Sequence, residues 1–183
     1  MVEIHFLHYG KKLYKMNLNT FKKIKSPYVI LLVGPPLCGK TTFCKKFIED
    51  IDKDVDIISR DQIMVDIHDN DDYNDAYKNV NQKEVNRLLL KQFEYSADNY
   101  RNVIVDMTNL FSKRRRHTLS FFDDSYNKIA VIFPIFEWDE FLARNRKRKD
   151  EENKFIPEDV LKNMISSYQG IRDNEGFNRI VSI

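Results

Sequence analysis

Short apolar runs alternate with longer amphipathic stretches along most of the chain. "YVILLV" (28–33), "VDII" (55–58), "NVIVD" (102–106), "IAVIFPIF" (129–136) and "NRIVSI" (178–183) are rich in β-branched residues and too short for independent helices, so each reads as a buried strand. Between them the apolar spacing predicts helices over roughly 39–51, 79–99, 112–125, 138–148 and 157–168. Strand and helix in alternation predict an α/β fold, with a parallel five-stranded sheet sandwiched by helices and ligands at the C-terminal strand ends.

Two segments break the alternation. Residues 1–26 precede the first core strand and read as an N-terminal extension, either a hairpin around Tyr9-Gly10-Lys11 or a basic arm, leaving 27–183 as the main domain. "HDNDDYNDAY" (68–77) is acidic, polar and without periodicity, and reads as an exposed connection. It lacks the Gly and terminal Glu of an EF-hand loop, so calcium is not expected there.

Composition narrows the class. The chain of 183 residues is 42% hydrophobic and carries a formal net charge of +2, the profile of a folded domain whose basic footprint on any polyanion must be local. Its two cysteines, Cys38 and Cys44, lie too close to a Gly-rich loop for a disulfide framework or zinc cluster, which suits a reduced, cytoplasmic setting. No apolar run approaches the roughly 20 residues of a membrane span, and no membrane or export role is expected. Scarce Gly beside plentiful Asn, Lys, Asp, Ile and Tyr suggests an A·T-rich coding genome, viral or bacterial.

The chemistry begins at "VGPPLCGKTT" (33–42), which fits G-x-x-x-x-G-K-[ST] between an apolar strand and a helix. In such a loop Gly34 and Gly39 let the backbone curl so that its N–H groups point at the phosphates of ATP or another NTP; Pro35, Pro36 and Cys38 complete the loop around the donor, and Thr42 continues into the helix. Lys40 reaches the β- and γ-phosphates, and Thr41 offers its hydroxyl to Mg²⁺.

The acceptor half is read from three places. In "SRDQIM" (59–64), Arg60 and Asp61 follow the second strand; Asp61 taken alone is more commonly a helix cap, but at the catalytic edge a carboxylate also serves as base for an attacking hydroxyl. The third strand ends in Asp106, Thr108 and Asn109, an acid and two hydrogen-bonding side chains at the same edge. Then Lys113, Arg114, Arg115 and Arg116 open a helix, where cations oppose the macrodipole and an acidic ligand would explain them. Finally Arg144 and Arg148 share one helix face before a charged connection and Pro157, the pattern of a helical lid whose arginines meet the transferring phosphoryl group.

In the order "GPPLCGKTTF", "SRDQI", "DMTNLFSKRRR", "FLARNRKR", "IPEDVLKNM" and "EGFNRIVSI", the chain resembles the polynucleotide 5′-hydroxyl kinases of bacteriophages and of larger end-healing enzymes. The resemblance implies transfer of the γ-phosphate of ATP to the 5′-hydroxyl end of DNA or RNA, with Mg²⁺. It makes Lys40 and Thr41 the phosphate and metal contacts, Asp61 the residue that activates the hydroxyl, and Arg148 a lid arginine supported by Arg144. Arg60, Asp106, Thr108, Asn109 and the basic run fall on the acceptor side. One departure stands out: some phage kinases place a phosphate-binding arginine three residues after the aspartate, where this chain has Met64. The D-x-D-G-T phosphatase motif and the K-x-D-G ligase motif do not occur, so phosphorylation without removal of 3′-phosphates is expected. Rival readings are a phosphate-loop kinase of a small molecule, such as a nucleotide sugar or antibiotic, and a non-catalytic ATP-binding module.

Overall fold

The computed structural model describes residues 18–68 and 73–183. Five strands, β1 (Tyr28–Val33), β2 (Asp56–Ile58), β3 (Val103–Val105), β4 (Asn127–Ile132) and β5 (Arg179–Ser182), form one sheet in the order β2-β3-β1-β4-β5. Every pairing is parallel. All six side chains of the central strand β1 are buried, as an apolar run without alternation requires when helices cover both faces.

Alternate residues of β1 feed two cores. Val29, Leu31 and Val33 face a layer that includes Ile63, Val85, Leu89, Phe93 and Phe122. Ile30 and Leu32 face Phe43 and Phe47 of helix α1 (Lys40–Asp50), together with Leu18 and Phe21. The rings of Phe21 and Phe43 meet edge-on at 5.5 Å, so the last part of the N-terminal extension belongs to this second core. The hairpin considered around Tyr9-Gly10-Lys11 lies outside the described residues.

Beyond the five expected helical regions, two helices lie between β2 and the long helix α4 (Gln82–Asp98): α2 (Arg60–Asp66) and α3 (Tyr73–Asn79). The expectation of an exposed, aperiodic connection over 68–77 is corrected from Tyr73 onward, where a short helix buries Ala76 completely. Two turns with one small anchor give too little periodicity to stand out from a polar sequence. The remaining helices are α5 (Ser112–Leu119), α6 (Trp138–Glu152) and α7 (Glu158–Ser166). No described helix is long and apolar enough to cross a membrane.

Candidate active site

The loop between β1 and α1 is shaped by contacts that only particular residues permit. A Cβ on Gly34 would lie 2.9 Å from the Phe133 Cβ and 3.0 Å from Cys38 Sγ, so the close approach excludes any side chain. Gly39 takes φ +99° at the entry to α1, and no side chain caps that helix. Its first amides and positive dipole end are thereby left to face an anion. The buried Lys40 folds across the loop, and its ammonium donates to the carbonyls of Gly34 at 3.1 Å and Pro35 at 2.6 Å. Cys38 and Cys44 are both free thiols and buried, and burial pushes both upward in pKa.

The acceptor-side motif is stitched to this loop. The Thr41 hydroxyl donates to Asp106 Oδ2 at 2.9 Å, and the Gly34 N–H donates to the Thr108 carbonyl at 3.0 Å. Asp106 itself is held above the usual carboxylate range: burial is the main cause, and the charge of Asp61 adds to it. The Thr41 hydroxyl and the Lys40 ammonium work in the opposite direction. A hydroxyl and a carboxylate side by side suit Mg²⁺, which takes one or two protein oxygens and completes its shell with water and substrate phosphates. Among the described residues no three His, Cys, Asp or Glu side chains gather into an all-protein metal cage.

Asp61 lies in the first turn of α2 and is exposed, while the cap of that helix is Ser59, whose side chain accepts from the Gln62 N–H. The helix-cap alternative for Asp61 is thus taken by its neighbour, and the carboxylate remains available. Beside it, Arg60 reaches across to the Gln82 side chain and to Met64 Sδ. Met64 is fully buried, so its position faces the core of this fold and not a ligand.

Two expected acceptor contacts are corrected. Asn109 is buried with φ +47°, and its amide donates to the Leu32 carbonyl at 2.8 Å, bracing β1. Arg115 has no exposed surface at all: its guanidinium pairs with Glu175 through contacts of 2.6 and 2.7 Å and donates to the carbonyls of Asn109, Leu110, Gln169 and Gly170. A fully used guanidinium in the core ties the exit of β3 to the C-terminal segment and has no donor left for a phosphate. Burial pushes the Glu175 carboxyl up, but the hydrogen bonds from Arg115 and the Arg172 amide outweigh it and hold the group below its ordinary range. Lys113, Arg114 and Arg116 are exposed, as a surface for an anion requires.

The lid pattern is realised by α6 and α7. Arg144 stacks over the Phe136 ring at 4.0 Å, pairs with Glu140 and donates to the Leu37 carbonyl at 3.2 Å, so it links the lid helix to the phosphate loop. Arg148, one turn later, is half-buried near Glu152. The turn between the helices depends on Asn145, a residue that sequence reasoning passed over. Buried at 1% exposure, it donates to the Ile156 carbonyl and accepts from the Ile156 N–H. Its signal was one amide among charged neighbours. Glu175 and Gln169 were passed over too, because their partners lie 54 to 60 residues away in sequence.

A parallel sheet in this order, with a phosphate loop after its central strand and a helical lid beyond the fourth, defines a phosphate-loop, kinase-like domain, a class whose loop binds nucleotides. The chain belongs to the AAA domain family, whose model matches residues 29–171. It is 22% identical over 152 residues to heterogeneous nuclear ribonucleoprotein U-like protein 2 of Mus musculus, which takes in 80% of this chain and 20% of that protein. The chain thus spans about a fifth of the length of the curated relatives it matches. Among solved structures it is similar to the Pnkp1/Rnl/Hen1 RNA repair complex, with TM-score 0.62 and 22% identity over 81% of this chain and 46% of that one. It is also similar to Kti12 of Chaetomium thermophilum in complex with ADP-AlF3, with TM-score 0.63 and 12% identity over 85% and 88% of the two chains. At these identities the likeness is one of fold.

Proposed function

We propose that this domain transfers the γ-phosphoryl group of ATP, or another NTP, to the 5′-hydroxyl end of a nucleic acid. The observation that carries the reading is the Thr41–Asp106 hydrogen bond at 2.9 Å, with Asp61 close enough to Asp106 to raise its pKa. Asp61 follows the neighbouring strand as an exposed carboxylate free of any capping duty, which supports its role as base. A non-catalytic nucleotide module has no need of such a base.

Lys40 and the loop amides hold the donor phosphates, and Thr41 and Asp106 would hold Mg²⁺, which would neutralise charge on those phosphates. Asp61 accepts the proton of the acceptor hydroxyl as that oxygen bonds to the γ-phosphorus. The bond from phosphorus to the β–γ bridging oxygen breaks, leaving ADP and a 5′-phosphorylated end. Arg148 on the lid meets the charge that develops on the transferring group, and Arg144 keeps the lid joined to the loop. Arg60 orients the start of α2 through Gln82.

A polymer acceptor is favoured over a small molecule by Lys113, Arg114 and Arg116, exposed on the helix that follows the Asp106 motif. The names of two similar proteins, an RNA repair complex and a ribonucleoprotein-like protein, support the same choice. The test is transfer of labelled γ-phosphate to 5′-hydroxyl oligonucleotides, DNA and RNA in parallel, with a nucleotide sugar as control. Labelling of the sugar and not the strands would select the small-molecule reading, and no labelling of any acceptor would select the binding module.

A further inference from the structure

Between Asn109 and Ser112 the chain buries three side chains and leaves one outside. Asn109, Leu110 and Ser112 are at most 7% exposed, whereas the Phe111 ring between them is 39% exposed. The backbone around it is pinned from several directions. Arg115 and the Gln169 N–H both donate to the Leu110 carbonyl, at 3.2 and 2.9 Å, and the Ser112 N–H donates to Gln169 Oε1 at 3.0 Å. The Phe111 carbonyl accepts from the amides of Arg114 and Arg115 at the start of α5. These bonds fix the backbone on both sides of the ring, which stands part-exposed five residues beyond Asp106.

Its neighbours give the ring a meaning. Arg114 lies one helical turn from Phe111 on the same side of the helix start, while Lys113 and Arg116 project from other faces; all three are exposed and none is in an ion pair within 4.0 Å among the described residues. An aromatic ring beside an unpaired guanidinium matches a single nucleic-acid strand, which offers a base to stack and a phosphate to neutralise at a similar spacing. We propose that Phe111 is a stacking platform for a base near the 5′ end of a single-stranded acceptor, with Arg114 on an adjacent phosphate. The proposal rests on the polynucleotide reading above and adds to it a single-stranded acceptor and a base contact.

Binding of a fluorescent 5′-hydroxyl oligonucleotide to the full chain tests it, for wild type, Phe111→Ala and Phe111→Tyr. A matched strand lacking bases at its 5′ end is measured alongside. Phe111→Ala is expected to weaken binding of the intact strand roughly 5- to 150-fold, the range of one lost base stack, and to leave the abasic strand unchanged. Phe111→Tyr keeps the aromatic face and should bind like wild type. Equal affinity of wild type and Phe111→Ala for the intact strand would overturn the platform, as would the same loss on both strands. Label transfer by wild type to the intact strand separates the two levels. Its absence overturns the polynucleotide reading and the platform together, while transfer with an unaffected Phe111→Ala overturns the platform alone.

Discussion

The phosphate loop and the basic run that opens α5 look alike in sequence, each a cluster of groups suited to anions, yet the fold treats them in opposite ways. In the loop every part serves one purpose: Gly34 and Gly39 allow the curl, Lys40 lies buried across it, and Thr41 is tied to Asp106. In the basic run, adjacent arginines divide between two purposes. Arg115 turns inward to Glu175 and four carbonyls, while Arg114 and Arg116 stay outside. A helix rotates about 100° per residue, so neighbours in a charge run cannot share a face. A motif whose geometry is carried by the backbone survives as a unit; a run of like side chains is sorted by the helix that bears it.

The largest expected effects lie on the donor side of this comparison. Arg148→Ala should lower kcat about 10³-fold or more if its guanidinium meets charge on the transferring phosphoryl group. Lysine should rescue poorly, because a point charge lacks the planar fork. Steady-state rates at saturating ATP check this, and full rescue by Lys would reduce the role to diffuse charge.

Asp61→Ala should lower kcat by about 10²- to 10⁴-fold, the range of a lost general base, with ATP affinity unchanged. Titration calorimetry with ATP separates the two quantities. Near-normal turnover would leave Asp61 as an exposed first-turn acid that favours the dipole of α2 and nothing more.

Within the basic run the contrast is one of stability against binding. Arg115→Met strands the buried Glu175 carboxylate and should cost about 3–5 kcal/mol of folding stability, whereas Arg114→Gln and Arg116→Gln should each stay within about 0.5 kcal/mol. Chemical denaturation of the three variants measures this directly. Glu175→Gln adds a pH signature. Its folded pKa lies below the ordinary 4.5, so the carboxylate's contribution is present above that value and is lost as pH falls through the lower folded pKa. The stability gap between wild type and Glu175→Gln should therefore be widest near neutrality and close in acid. A gap that did not change with pH would detach it from the Arg115 pair.

The smallest expected effect is on the salt dependence of acceptor binding. Arg114→Gln and Arg116→Gln should each flatten the log–log slope for a single-stranded oligonucleotide by about 0.7 if each neutralises one phosphate. Arg115 should contribute nothing to that slope, since its side chain is wholly buried. Unchanged slopes in both variants would make the exposed arginines a solvated face and reopen the small-molecule reading.

Much of this molecule was legible in the linear chain. The β-branched runs located all five strands, although only β1 and β3 are buried throughout and the edge strand β5, expected to be buried, is largely exposed; the phosphate loop announced itself because Gly34, Gly39 and Lys40 answer to backbone geometry within eight residues. The chain could also nominate Asp61, Asp106 and Arg148, each at the end of a strand or on the face of a helix that periodicity located. Only the tertiary structure could separate Arg115 from its neighbours, give the cap of α2 to Ser59 in place of Asp61, turn Met64 into the core, and reveal α3 within an acidic stretch. The physical reason is common to these cases. Strands and phosphate loops are specified by neighbours in sequence, whereas the burial of a single charged or polar side chain depends on partners such as Glu175, 60 residues away, that are brought near only when the sheet has formed.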